Sequence, residues 1–156
     1  MKIISLLISA FFCLSAVLAQ DNSLKTSSTN NSSPLDGVPV EITRKVDVFF
    51  KTLINKKIDK AFEEFLVGSP LANKKDDIKN LLAQTQQSIT LYGDLKGYDP
   101  ISAQVASPSY IRVRYIALHL RFPMRWIFTF YRSPENGWMV TNIKFDDLTE
   151  YFFKDE

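Results

Sequence analysis

Trp126-Ile127-Phe128-Thr129-Phe130-Tyr131, the turn residues Pro134-Glu135-Asn136-Gly137 and the run Trp138-Met139-Val140-Thr141-Asn142-Ile143-Lys144-Phe145 decide the fold class. Each run alternates with period two and is rich in aromatic and β-branched residues. That is the pattern of a strand with one face buried, and Pro and Gly between the runs mark a reversal of the chain. Working outward from this hairpin toward the N-terminus, the same period holds back to Gly93. It predicts four antiparallel strands, at Tyr98–Ala106, Tyr110–Leu120, Met124–Ser133 and Trp138–Phe145, joined at Ser107-Pro108, Phe122-Pro123 and Pro134–Gly137.

Before Gly93 the period becomes helical. Ile42, Val46, Phe49, Phe50 and Leu53 fall at the i, i+4, i+7, i+8, i+11 spacing of one helix face. Ile58, Ala61, Phe62, Phe65 and Leu66 repeat the pattern in a shorter helix, ended by Gly68-Ser69-Pro70. A third helix begins near Asn73, with Asp76 and Asp77 in its first turn and Ile78, Leu81, Leu82, Thr85 and Ile89 as its inner positions. Three helices followed by four strands is an α+β order.

The ends and the composition bound the setting. Lys2 followed by the apolar run Ile3–Leu18, with small residues at Val17 and Ala19, reads as a cleavable signal peptide over 1–19, which places the mature protein outside the cytosol, secreted or periplasmic. The run is short for a membrane span and no basic cluster follows it, so no span is expected after cleavage. Cys13, the single cysteine, lies inside that run, and Phe11-Phe12 before it do not suit lipidation. The mature chain then has no thiol for a disulfide, a nucleophile or a metal. Residues 20–39 are dominated by Ser, Thr, Asn, Asp and Pro and read as a flexible tether, in which Asn30 and Asn31 match the glycosylation sequon. Residues 40–156 form one domain. Without 1–19 the chain carries 18 basic against 17 acidic residues, a balance that argues against a nucleic-acid partner.

The stretch Asn55–Phe62, the Tyr92-Gly93-Asp94 corner, the strand Trp126–Tyr131 and the ending Gly137–Asp147 together resemble the nuclear transport factor 2-like superfamily over about Val40 to Phe153. The resemblance implies a cystatin-like cone: a curved sheet wrapped around the first helix with a pocket at the open end. It does not select a chemistry, because the superfamily holds isomerases, dehydratases and binding modules.

Strand alternation assigns Ile111, Val113, Tyr115, Ala117 and His119 to the inner face of the second strand, and Arg112 and Arg114 to the outer face. On the third strand Trp126, Phe128 and Phe130 point in, while Arg125, Thr129 and Tyr131 point out. Tyr115, His119 and Trp126 are therefore the pocket residues able to orient a ligand, and Arg112, Arg114, Arg125 and Tyr131 form a candidate contact surface for a homodimer or another protein. No residue is assigned a catalytic role in the leading reading, an exported non-enzymatic module that binds a small molecule or a partner protein. The alternatives are a cofactor-independent isomerase or hydratase using His119 and Tyr115, and a structural dimer subunit.

The resemblance also brings in ketosteroid isomerase, where an Asp base faces an oxyanion hole of Tyr and a protonated acid. This chain offers no carboxylate on its inner strand faces, and its sole histidine, His119, excludes the paired-histidine dehydratases. Phosphate-cradling glycine loops, a serine elbow and a metal-ligand cluster are absent from the sequence, so no cofactor or metal is expected. Asp146-Asp147, after the last strand, is the weak cation alternative.

Overall fold

The period-3.6 apolar stripes become helices and the period-2 segments become strands. The computed structural model describes residues 33–153, and the predicted signal peptide, most of the predicted tether and the last three residues lie outside them. In chain order the elements are α1 (Val40–Ile54), α2 (Ile58–Phe65), a 3-10 turn (Pro70–Asn73), α3 (Lys75–Tyr92), β1 (Leu95–Ser107), β2 (Tyr110–His119), β3 (Pro123–Ser133), β4 (Gly137–Asp146) and a second 3-10 turn (Thr149–Phe152). The result is α+β, with an open antiparallel sheet in the order β1-β2-β3-β4. The helices precede the sheet at 40–92 and so do not lie at the chain's own N-terminus.

α1 buries Ile42, Val46, Phe49, Phe50 and Leu53, the stripe expected from spacing. Those residues meet the inner faces of β2 and β3, Ile111, Val113, Tyr115 and Ala117 with Trp126, Phe128 and Phe130. Phe49 is the hub. Its ring centroid lies 4.7–5.6 Å from those of Phe50, Phe62, Phe65, Trp126 and Phe128. Edge-to-face pairs at such spacing add to the burial energy of each ring. The core is therefore an aromatic block, with Phe50, Phe128 and Phe130 at 0 % exposure.

Two predictions of extent change. β1 begins at Leu95, three residues before the predicted start. Leu35 and Val38, assigned from composition to the tether, pack against the core, because the turn that Ser33–Gly37 makes delivers them onto it. Its hydrogen bonds run from Asp36 N to Ser33 O and from Val38 N to Leu35 O, and Gly37 supplies the left-handed backbone the turn needs (φ 77°).

Ser69 ties the helices to the sheet. Its hydroxyl donates to Val140 O at 2.6 Å and accepts from Leu71 N at 3.1 Å, so the segment after α2 is fixed to β4. At the α3–β1 corner Gly93 has φ 83°, and a Cβ there would sit 3.0 Å from Leu120 Cβ, so the predicted glycine corner is a steric requirement.

Candidate functional site

Between α1 and the β1–β2 edge opens a cleft of about 430 Å3. Thr43, Arg44 and Asp47 come from α1, Tyr98 and Pro100 from β1, Tyr115 from β2, and Leu35 and Val40 close its outer side. The residues flanking the buried stripe of an amphipathic helix stand at the edge of the sheet it covers. Thr43 and Asp47 take this position beside Ile42, Val46 and Phe50.

Tyr98 stacks on Phe50 with ring centroids 4.6 Å apart and donates its hydroxyl to Asp47 Oδ1. Asp47 also receives Lys51 Nζ at 2.6 Å on its other oxygen. The Lys51 hydrogen bond, then the one from Tyr98, hold the Asp47 carboxyl below its ordinary range. Burial raises the Tyr98 hydroxyl, and the Asp47 hydrogen bond and charge add to it. Tyr115 is 3 % exposed, and burial, followed by the Asp47 charge, pushes its hydroxyl up to about 12. No described residue hydrogen-bonds that hydroxyl. The side chain lines the cleft, and its oxygen is not enclosed there, so water or a ligand can meet its hydrogen-bonding capacity.

The pH dependence follows from these directions. A tyrosine whose folded pKa stands above its unfolded value near 10 stabilises the fold fully below pH 10, and that contribution is lost as pH rises through about 12. The melting temperature is therefore expected to fall between pH 10 and 12. Absorbance at the phenolate band should show late titration of three tyrosines, Tyr92, Tyr98 and Tyr115, and Tyr115→Phe should remove one of them and soften the alkaline loss.

Of the three predicted pocket residues, Tyr115 and Trp126 are paired across β2 and β3, and His119 stands apart. Tyr115 lines the cleft. Trp126, its cross-strand neighbour, is 1 % exposed, stacks on Phe145 at 4.2 Å and has an Nε1–H with no hydrogen-bond partner among the described residues. His119 lies four residues further along β2, about 13 Å from Tyr115 at the rise of a strand. Its Nδ1 is 2.7 Å from Gly93 O. A carbonyl oxygen only accepts, so Nδ1 carries the proton and donates. The histidine closes the α3–β1 corner together with Leu120 N to Asp94 O (3.1 Å) and Arg121 N to Tyr92 O (2.9 Å). His119 and Tyr115 therefore do not form one acid–base pair.

The expected outer-face group shares one face, as strand phase predicts. Arg112 pairs with Thr129 and Arg114 with Ile127, opposite in phase to the core pairs Val113–Phe128 and Tyr115–Trp126. That face is not a solvated one, however: Arg114 and Arg125 are 4 % and 5 % exposed, while Tyr131 is 39 % exposed. Arg125 forks onto Asp146, Nε to Oδ1 at 3.1 Å and Nη2 to Oδ2 at 2.7 Å, and Tyr151 of the last 3-10 turn covers its guanidinium at 4.9 Å. Arg114 Nε donates to Ser102 Oγ of β1 at 2.7 Å. Neighbouring strands and the chain after β4 thus bury charges that strand phase alone leaves in water. Asp146 also accepts from Leu148 N at 3.2 Å and Asp147 accepts from the Tyr92 hydroxyl, so both carboxylates of the cation alternative are engaged with protein groups. Among the described residues no three His, Cys, Asp or Glu side chains gather as a metal-binding group, and no helix is long and apolar enough to cross a membrane.

No protein-family model, curated protein or solved structure matches this chain.

Proposed function

We propose that the protein is an exported, non-enzymatic binding module of the nuclear transport factor 2-like kind, and that its ligand seats in the cleft between α1 and the β1–β2 edge. The observation that carries the reading is the cleft itself, where Tyr115 lies beside the hydrogen-bonded pair of Tyr98 and Asp47 and is flanked by apolar side chains. The interior that the cone resemblance implies as a pocket is occupied by Phe49, Phe50, Phe128 and Trp126, so binding moves to the rim. There Leu35, Val40 and Pro100 offer apolar walls, while Asp47 and the two tyrosines offer hydrogen bonds. A ligand with an apolar body and a polar tip, free or as a side chain of a partner protein, fits that combination.

The isomerase or hydratase alternative has less support, since His119 is engaged with Gly93 O and stands away from Tyr115. A filled interior is also what a structural dimer subunit would have, and the cleft that joins apolar walls to Asp47, Tyr98 and Tyr115 is what favours binding over it.

Native mass spectrometry of the protein purified from its source is the test. The expected spectrum shows a co-purifying small molecule or protein that is lost from Val40→Trp, where an indole fills the cleft, and weakened about tenfold by Tyr115→Phe, the size of one good hydrogen bond. A ligand retained equally by both variants would place the site elsewhere.

A further inference from the structure

The groove between α2 and α3 has an apolar floor and a charged rim. Phe62 and Leu66 of α2 and Ile78 and Leu82 of α3 form the floor, and the opening measures about 340 Å3. Asp59 and Glu63, one turn apart on α2, stand at the rim, and they are the charged side chains that line it. Both are exposed, and neither makes a hydrogen bond or an ion pair among the described residues. Glu64, on the other flank of α2, meets Lys60 at 3.5 Å, so the helix pairs that acid and leaves the two beside the groove unpaired. Asp59 suits the helix start, but Glu63 one turn on only adds like-charge repulsion to α2.

α3 is the incompletely covered wall. α1 buries all of its apolar stripe, whereas the residues that α3 buries are Thr85 and Ser88. Their hydroxyls donate back into the helix, to Leu81 O and Thr85 O, each at 2.8 Å, so α3 packs on the domain through two small side chains that satisfy themselves. Ile78, Leu81 and Leu82, expected as inner positions, remain half-buried. Lys75 and Lys79, further round α3, do not line the groove.

We propose that this groove docks an amphipathic helix of a partner protein, one whose apolar stripe is edged by lysine or arginine. A third helix laid between two others sets its ridges into the groove they form, and anchors at i, i+3 or i+4, and i+7 reach the floor of Phe62, Leu66, Ile78 and Leu82. Its basic edge then meets Asp59 and Glu63, a complementarity that fixes orientation and selects against an acidic helix. The groove shares no residue with the α1–β1 cleft and does not depend on that cleft having a ligand.

NMR titrations of the full-length protein with two synthetic amphipathic helices, one of leucine and lysine and one of leucine and glutamate, test the proposal. Saturable shifts centred on Phe62, Leu66, Ile78 and Leu82 are expected with the lysine peptide, and weaker binding with the glutamate peptide. Asp59→Asn with Glu63→Gln should weaken the lysine peptide about tenfold, the size of two exposed ion pairs. Asp59→Lys with Glu63→Lys should transfer the preference to the glutamate peptide. Glu135→Lys, in the β3–β4 turn, changes the net charge as much as the neutral pair of substitutions does and should leave both peptides unaffected. Tighter peptide binding after deletion of residues 20–32, which carry Leu24-Lys25, would give the groove to the chain's own segment, and a dimer in sedimentation that Asp59→Lys with Glu63→Lys disperses would give it to a second copy. Either result would overturn the partner helix. Shifts that never saturate, or a lysine peptide bound equally by the wild type and by Asp59→Asn with Glu63→Gln, would overturn the site.

Discussion

Phe49→Ala will lower the free energy of unfolding by about 3–5 kcal/mol, the cost of emptying a fully buried aromatic position. Phe49 is 1 % exposed and its ring meets five other aromatic rings, so truncation removes burial energy and leaves a void that rigid neighbours cannot close. Total stability for a domain of this kind is about 5–15 kcal/mol, so the variant should retain the fold with a much lower urea midpoint and an unchanged slope. The void would lie where the cone resemblance implies a pocket, and the variant is expected to gain binding of a small apolar probe such as benzene that the wild type lacks. A loss below about 1 kcal/mol would mean that the interior is loosely packed, contrary to the aromatic block described above.

Asp146→Ala has the next largest expected effect, about 2–3 kcal/mol. Removing one partner of a buried pair costs more than the pair itself contributes, and the figure sits below the usual 3–5 because the Asp146 side chain keeps 28 % of its exposure against 6 % for Arg125. The variant removes the two Asp146 contacts of the guanidinium under Tyr151. Arg125→Met combined with Asp146→Ala should recover part of the loss, because the charge goes with its partner. Thermal unfolding of the two variants side by side decides it; equal destabilisation by the single and double changes would mean that the pair is not the source of the effect.

The α1 stripe and the alternating strands were legible because burial on one face repeats at a fixed period, and the residues from Ile42 to Leu53 and from Ile111 to Phe130 obey it. Asp47 was missed for the converse reason. It lies just off the stripe, where sequence alone does not tell a cleft residue from a solvated one, although its position between Val46 and the Phe49-Phe50 pair is the border signal that could have found it. Leu35 and Val38 were hidden by a polar neighbourhood, since composition averages over a turn that places just two side chains on the core. Strand phase put the arginines on the correct face, but their burial depends on Ser102, Asp146 and Tyr151, which come from other elements. His119 looked chemical because histidine is the usual acid–base side chain, and it meets a backbone carbonyl that no side-chain pattern reveals.

The central claim is that this fold binds at its rim and not in its interior. Methyl and aromatic NMR spectra of the wild-type protein, recorded against a library of small aromatic and aliphatic fragments with polar tips, test it most directly. Binding fragments are expected to shift Leu35, Val40, Tyr98 and Tyr115 while Phe49, Phe128 and Trp126 stay in place. Fragments that instead shift Phe49, Phe128 and Trp126, or that bind without touching Tyr98 and Tyr115, would contradict it.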